Sequence, residues 1–146
     1  MSLTENERAG MQSHDLIALS LERAGEICGD PTSAVYERLF ARLPETRALF
    51  VMDRAGLARG NMLMNVFDVV LDVAGPRRYG ANMVMAEIVN HQGIGVSAQA
   101  FPIFFEIVME TIRDVLGGEW TAAMQAAWDG ALRDLRDIAR AAAPTA

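Results

Sequence analysis

Apolar residues recur at helical spacing along most of the chain. In the C-terminal third, two long series repeat at intervals of three and four residues, as on the buried face of an amphipathic helix. Gly117 and Gly118 separate the two series, and Thr121 is a suitable N-cap for the second. The pattern therefore predicts two long helices joined by a short turn. The first series is Phe101, Phe104, Phe105, Val108, Met109, Ile112, Val115 and Leu116, and the second is Met124, Ala127, Trp128, Ala131, Leu132, Leu135, Ile138 and Ala139.

The N-terminal half predicts shorter helices, each bounded by a capping residue, a proline or a glycine. Strict alternation of apolar and polar residues is absent, so strands are not predicted. The sequence thus favours an all-α architecture of six to eight helices. The predicted elements run from Ser13 or Asp15 to about Cys28, from Asp30–Pro31 to about Arg42, from Pro44 through Phe50 as a short turn, from Arg59 or Gly60 to about Val73, and from about Tyr79 to Asn90.

The chain is predicted to form one domain. Its 146 residues are 51% apolar, which is enough to build a hydrophobic core of ordinary size. No internal repeat or linker divides the sequence. We therefore expect a flexible polar leader at residues 1–12, a single domain at 13–143 and a tail at 144–146.

The charge balance is acidic, with 13 basic and 19 acidic residues and a net charge of −6. All the basic residues are arginine, and they form no basic block. Phosphate backbones and anionic membrane surfaces both attract clustered positive charge. Nucleic acid and membrane surfaces are therefore not expected partners.

Cysteine and histidine are scarce. The single cysteine, Cys28, excludes an internal disulfide, and the two histidines, His14 and His91, exclude a cage of several histidines. The polar N-terminus has no apolar segment of the kind found in signal peptides. These features lead us to expect a cytoplasmic protein.

His91 is the residue with the clearest chemical interest. Ile88 and Val84 precede it by three and seven residues, so the imidazole lies on the apolar face of its helix. A lone inward histidine is most often a core residue whose nitrogens find backbone partners. A neutral imidazole in an apolar pocket is also suited to ligate a haem iron, with its Nδ1–H donated to a carbonyl near Glu87 and Nε2 left free.

Two segments resemble the bacterial globins, which include single-domain haemoglobins and the globin domain of flavohaemoglobins. Residues 35–50 read VYERLFARLPETRALF, and residues 91–103 read HQGIGVSAQAFPI. The order and spacing of their tyrosine, phenylalanine, proline, histidine and Phe-Pro-Ile motifs match that family from about Leu16 to Ala139. The resemblance implies a globin-like fold packed around a haem pocket, with haem b as the cofactor.

The resemblance also implies roles for individual residues. His91 matches the proximal histidine that ligates the iron, and the Gly-Val pair that follows places Val96 beside the haem. Phe50 matches the phenylalanine that packs on the haem face. Tyr36 matches the distal tyrosine, whose hydroxyl donates a hydrogen bond to the bound gas.

The distal helix is matched with one deletion in the preceding loop. This alignment implies that Leu63 and Phe67 contact the haem and that Arg59 takes the place usually held by glutamine or histidine. Without the deletion Gly60 would take that place, and Asn65 would then face the core at a desolvation cost. The Arg59 guanidinium could reach the ligand, a haem propionate or solvent.

The sequence departs from the family on the proximal side. Flavohaemoglobins connect the proximal histidine to a tyrosine and a glutamate, but Phe101 occupies the tyrosine position and the glutamate position falls near Ala143. Without these partners the imidazole is expected to resemble that of an oxygen-binding globin. Phe101 is still expected to contact the haem.

The resemblance implies reversible binding of oxygen, nitric oxide or carbon monoxide, with oxygen transport as one role. Two alternatives stay open, namely a nitric oxide dioxygenase and a haem-free globin-fold sensor module. We expect no flavin or nicotinamide domain, so reduction of the haem is expected to need a separate reductase. The sequence leaves the oligomeric state open, a homodimer included.

Overall fold

The structure is a computed structural model that describes the backbone of residues 5–142 and the side chains from residue 12 onwards. Six α-helices and two short 3-10 turns make up the described part of the chain, which contains no strand. The helices are α1 (Glu5–Cys28), α2 (Thr32–Arg42), α3 (Leu57–Ala74), α4 (Gly80–Gln92), α5 (Ala100–Leu116) and α6 (Ala122–Ala142), and the 3-10 turns are Pro44–Phe50 and Gly117–Glu119. The all-α prediction is confirmed.

Most helix ends agree with the predicted boundaries. Gly29, which follows α1, has a φ of +77°, a left-handed conformation that glycine adopts without strain. Asp30 accepts the N–H of Thr32, the first residue of α2, through its carboxylate at 2.9 Å, and Pro31 is the N-cap residue rather than the first helical residue that the sequence predicts. Thr121 accepts the N–H of Met124 at 3.0 Å, which confirms it as the cap of α6.

Two helices begin earlier than predicted. The first helix begins at Glu5 rather than at Ser13 or Asp15, because residues 5–12 contain neither proline nor a β-branched side chain that would oppose a helix. The predicted tail at 144–146 and the first four residues of the predicted leader lie outside the described residues. The helix predicted from Arg59 or Gly60 begins at Leu57, a difference that affects the functional site.

The core lies where α1, α5 and α6 pack together and continues beneath α3 and α4. Trp128 of α6 is fully buried and donates its indole N–H to the Ser20 hydroxyl of α1 at 2.9 Å. The Ser20 hydroxyl in turn donates to the carbonyl of Ile17 at 2.6 Å. This chain of hydrogen bonds satisfies the buried polar atoms between the two helices. Within residues 5–142, no helix has the length and apolar character needed to cross a membrane.

The corner between α3 and α4 determines the direction of α4. Asp72, near the end of α3, accepts the backbone N–H groups of Arg78 at 2.9 Å and Tyr79 at 3.1 Å. These groups lead into α4, so the carboxylate caps the helix that carries His91.

Candidate functional site

A cavity of about 450 Å³ opens between α2, the first 3-10 turn, α3, α4 and the start of α5. Apolar side chains make up most of its wall, with a few polar groups among them. This combination is typical of a site for a small molecule or cofactor. The wall is formed by Tyr36, Leu39, Thr46, Leu49, Phe50, Met52, Asp53, Ala58, Met62, His91, Ile94, Val96, Ala100, Phe101 and Phe104.

His91 lies in the last turn of α4 and faces this cavity. Its Nδ1 lies 2.7 Å from the carbonyl oxygen of Glu87, one turn earlier. Because a carbonyl can only accept, Nδ1 carries a proton, and in the neutral imidazole Nε2 then keeps its lone pair. The predicted hydrogen bond near Glu87 is therefore confirmed, and Nε2 is available to ligate a metal.

The Glu87 carboxylate also approaches the imidazole. Its Oε2 lies 3.6 Å from Nδ1, and the side chain is 46% exposed. That distance is longer than a hydrogen bond, and the exposed carboxylate is screened by solvent. The backbone carbonyl is thus the partner that orients the ring.

The turn after His91 brings Val96 to the cavity. The His91 carbonyl accepts the N–H groups of Ile94 at 3.0 Å and Val96 at 2.9 Å. Between them Gly95 has a φ of +87°, where a side chain would be strained. The glycine-containing motif therefore reverses the chain and returns it to the wall of the pocket.

Phe101, from the first turn of α5, packs edge-on against the imidazole, with 5.2 Å between the ring centroids. It offers His91 an apolar contact and no hydrogen-bond acceptor. Ala143, near the family's glutamate position, lies outside the described residues.

Tyr36 of α2 contributes an unusual polar atom to the cavity. The side chain is only 1% exposed, and its hydroxyl has no hydrogen-bond partner among the described residues. Burial raises the pKa of the phenol, so it stays protonated at neutral pH and is able to donate. Because an unpaired buried hydroxyl is costly, this atom marks a place where a ligand can accept a hydrogen bond.

Three phenylalanine rings fix the orientation of Tyr36. Phe50, at the end of the first 3-10 turn, meets the phenol ring edge-on with 5.2 Å between centroids. Phe104 lies 5.5 Å away and Phe40 6.1 Å away by the same measure. Such tilted and edge-on aromatic contacts are favourable and restrict the ring. The predicted residues His91, Tyr36, Phe50, Val96 and Phe101 are thus all found in one cavity wall.

The structure differs from the sequence-based prediction for α3, which is the distal helix. Arg59, Leu63 and Phe67 do not line the cavity, whereas Ala58 and Met62 do. Leu63 is 2% exposed and Phe67 packs against the core, so both contribute to folding. A shift of one residue turns a helix by about 100°, which moves a different set of side chains to the pocket.

A smaller cavity of about 90 Å³ continues inwards between α3, α4 and α5. Val66 and Val69 of α3 form part of its wall, and Met62, His91, Phe101 and Phe104 border both cavities. The face of α3 that carries Met62 and the face of α4 that carries His91 therefore lie on opposite sides of the same cavities.

Asp53 explains where α3 begins. Its carboxylate accepts the backbone N–H groups of Ala58 and Arg59, each at 3.0 Å, in the first turn of the helix. A carboxylate at this position satisfies unpaired donors and interacts favourably with the helix dipole. These hydrogen bonds hold the pKa of Asp53 below its usual value despite an opposing effect of desolvation. Sequence reasoning missed both Asp53 and Met62; an acidic residue shortly before a helix was the signal for the first.

The sequence of the chain is similar to those of known proteins. The globin family model matches residues 33–138. A curated flavohemoprotein from Rhizobium meliloti (strain 1021) is 28% identical over 106 residues, which cover 70% of this chain and 26% of that protein. The chain therefore spans about a quarter of the length of this relative. No solved structure matches the chain.

Proposed function

The chain belongs to the globin family, and we propose that it binds haem b through His91 and reversibly binds oxygen or another diatomic gas. One observation carries the proposal. A histidine whose Nδ1 is held by a carbonyl faces the same apolar cavity as a buried, unpaired tyrosine hydroxyl. That pair provides an iron ligand and a hydrogen-bond donor in one site.

The residues present fit a haem. Nε2 of His91 is a neutral nitrogen donor of the kind that haem iron accepts. The apolar wall, with aromatic rings from Phe50 and Phe101, suits a flat, apolar macrocycle. When bound, the ferrous iron supplies the coordination position for the gas.

Tyr36 provides the polar interaction with the ligand. Its pKa is raised by burial, so the hydroxyl keeps its proton and donates to a ligand that carries partial negative charge. The surrounding rings exclude water, which would otherwise compete for that hydrogen bond. We expect oxygen to benefit more than carbon monoxide, because bound oxygen is the more polar ligand.

A nitric oxide dioxygenase is the second candidate, and similarity to a flavohemoprotein favours it. Such an enzyme would need electrons from a reductase. The surroundings of His91 favour reversible gas binding over the dioxygenase. Its Nδ1 lies 2.7 Å from a backbone carbonyl, and the neighbouring ring of Phe101 has no hydroxyl group. The single cysteine, Cys28, is compatible with a role in the reducing cytoplasm.

Haem titration of the full chain tests the proposal. We expect one haem per chain with a Soret band, and a ferrous protein that binds carbon monoxide. His91→Gly should lose the haem or bind it weakly, and added imidazole should restore the spectrum. His14→Ala is the matched control, because His14 lies on α1 and does not line the cavity.

Failure to bind haem would contradict the proposal and favour a haem-free sensor module. Retention of an unchanged ferrous spectrum in His91→Gly would show that His91 is not the ligand. Sustained turnover of nitric oxide with an added reductase would favour the dioxygenase over the carrier.

A further inference from the structure

We propose that Asp53 is a positioning residue that holds the Arg59 guanidinium at the rim of the cavity, so that the site selects uncharged gases over anions. The selectivity for gases over anions rests on the proposed haem function. The restraint of Arg59 by Asp53 does not depend on haem, because it involves only residues of this chain.

Asp53 and Arg59 are joined by several short contacts. The Nε–H of Arg59 donates to the Asp53 carboxylate at 3.1 Å, and its Nη2 donates to the Asp53 backbone carbonyl at 2.9 Å. The same carboxylate accepts the backbone N–H of Arg59 at 3.0 Å. The side chains are 13% and 26% exposed, so the pair is shielded from solvent more than an ordinary surface ion pair is.

The loop that leads into α3 makes room for the guanidinium. Gly56 has a φ of +76°, and a Cβ atom built there would lie 3.4 Å from Nη2 of Arg59. The Gly56 N–H also donates to the Asp53 carbonyl at 3.1 Å. The guanidinium therefore packs against a tight turn closed by Asp53, and its release requires the loss of the two hydrogen bonds that it donates to Asp53.

The pair is close enough to influence the polar group of the cavity. Asp53 itself lines the cavity wall, whereas Arg59 does not. Burial raises the pKa of Tyr36, and the charges of Arg59 and Asp53 act on that phenol in opposite directions. While the pair is intact, the charge of Asp53 opposes that of Arg59 at the Tyr36 phenol.

A released arginine would change that balance. Its guanidinium binds anions through several donors in a fixed plane and cannot lose its charge. Fluoride and azide at a ferric haem would gain such a partner, and a neutral gas at a ferrous haem would gain little. Restraint of Arg59 by Asp53 thus leaves Tyr36 as the main donor in the cavity.

The experiment compares four forms of the haem-loaded chain, namely the parent, Asp53→Asn, Arg59→Gln and the double variant. The asparagine side chain has one carbonyl oxygen that accepts hydrogen bonds, so Asp53→Asn keeps an acceptor for α3 while it loses the charge. We expect Asp53→Asn to bind azide and fluoride about ten-fold tighter in the ferric state, because one charge-assisted hydrogen bond is gained. The double variant should lose this gain, and carbon monoxide affinity should change less than anion affinity.

Asp114→Asn is the matched control. It breaks an exposed ion pair with Arg38 outside the cavity and should not tighten anion binding. Unchanged anion affinity in Asp53→Asn would overturn the proposal. A gain that persists in the double variant would also overturn it, since the Asp53 charge and not Arg59 would then be responsible.

A second measurement needs no haem. In the parent chain the Nε–H of Arg59 should give a protected signal in nitrogen–proton NMR spectra, and Asp53→Asn should lose that protection. An unprotected Arg59 signal in the parent would overturn the restraint directly, even if the variant failed to fold. Failure of the parent to take up haem would instead contradict the proposed function.

Discussion

Asp72 and Gly80 are in direct contact at the corner that carries α4. Oδ2 of Asp72 accepts the N–H of Gly80 at 2.6 Å, and a Cβ atom on Gly80 would lie 2.9 Å from that oxygen. Only glycine permits this approach without displacement of the carboxylate. The contact fixes the start of the helix that ends at His91, so the position of the imidazole depends on a residue on another helix.

We expect Asp72→Ala to lower the free energy of unfolding by about 2–3 kcal/mol, because three N–H groups at the start of α4, among them the buried one of Gly80, lose their acceptor. Urea unfolding at neutral pH measures the change. Asp68→Ala is the control on the same helix, since Asp68 is exposed, and it should lie within about 0.5 kcal/mol of the parent. Equal effects of the two substitutions would show that the cap contributes little.

The Asp72 contribution should also depend on pH. Burial would raise the pKa of this carboxyl, but the N–H groups of Arg78, Gly80 and Tyr79 lower it below its usual value. A lowered folded-state pKa means that the stabilisation is fully present above the unfolded pKa of about 4 and is lost as the pH falls through the folded value. The stability difference between the parent and Asp72→Asn should therefore shrink below about pH 4. A difference that stays constant from pH 7 to pH 3 would contradict this.

The presence and approximate position of the helices could be predicted from the sequence, because they depend on local patterns of apolar and capping residues. The spacing of apolar residues located α5 and α6, and Thr121 marked the start of α6 correctly. The hydrogen bond from His91 to the Glu87 carbonyl was also predictable, since residues four apart on a helix lie one above the other.

The distal helix could not be placed to the residue for a different reason. The start of α3 depends on Asp53, which reaches forward across a loop to two N–H groups. No fixed sequence spacing specifies such a cap, and an error of one residue moves the pocket face from Met62 to Leu63. Asp72 is a similar case, because its partners at 78–80 follow a turn whose geometry sequence alone does not give.

Tyr36→Phe should raise the oxygen dissociation rate of the haem-loaded protein by roughly ten-fold or more, because a hydrogen bond to a charged acceptor contributes about 1.5–3 kcal/mol. Stopped-flow or flash photolysis measures the rate, and the carbon monoxide rate should change less. The free energy of unfolding of the haem-free chain should not fall, since the hydroxyl has no partner among the described residues. Equal effects on both gases would show that Tyr36 acts by packing alone.

Met62→Ala and Leu63→Ala form a matched pair that tests which face of α3 meets the cavity. Leu63 is 2% exposed in the core, so its truncation should cost about 2–5 kcal/mol of stability. Met62 borders both cavities, so its truncation should cost less and alter the carbon monoxide association rate more. The opposite result would support the sequence-based prediction that Leu63, rather than Met62, lines the cavity.

The proximal side should resemble that of an oxygen-binding globin. A hydrogen-bonded carboxylate would push the imidazole towards imidazolate and strengthen the iron–nitrogen bond. Here the Nδ1–H of His91 is held by the Glu87 carbonyl at 2.7 Å, and the Glu87 carboxylate lies 3.6 Å away. We therefore expect a ferrous iron–histidine stretch below that of flavohaemoglobins, and low peroxidase turnover.

Resonance Raman spectra of the ferrous protein test this expectation, with Glu87→Gln as the informative variant and Glu45→Gln as the control outside the cavity wall. Glu87→Gln keeps the backbone carbonyl and removes the charge, so the stretch should stay close to that of the parent. A high iron–histidine stretching frequency that falls in Glu87→Gln, and not in Glu45→Gln, would show that the carboxylate accepts the hydrogen bond from Nδ1–H in the haem-loaded protein. The imidazole would then have the character that supports oxygen activation, and the dioxygenase would become the better proposal than the carrier.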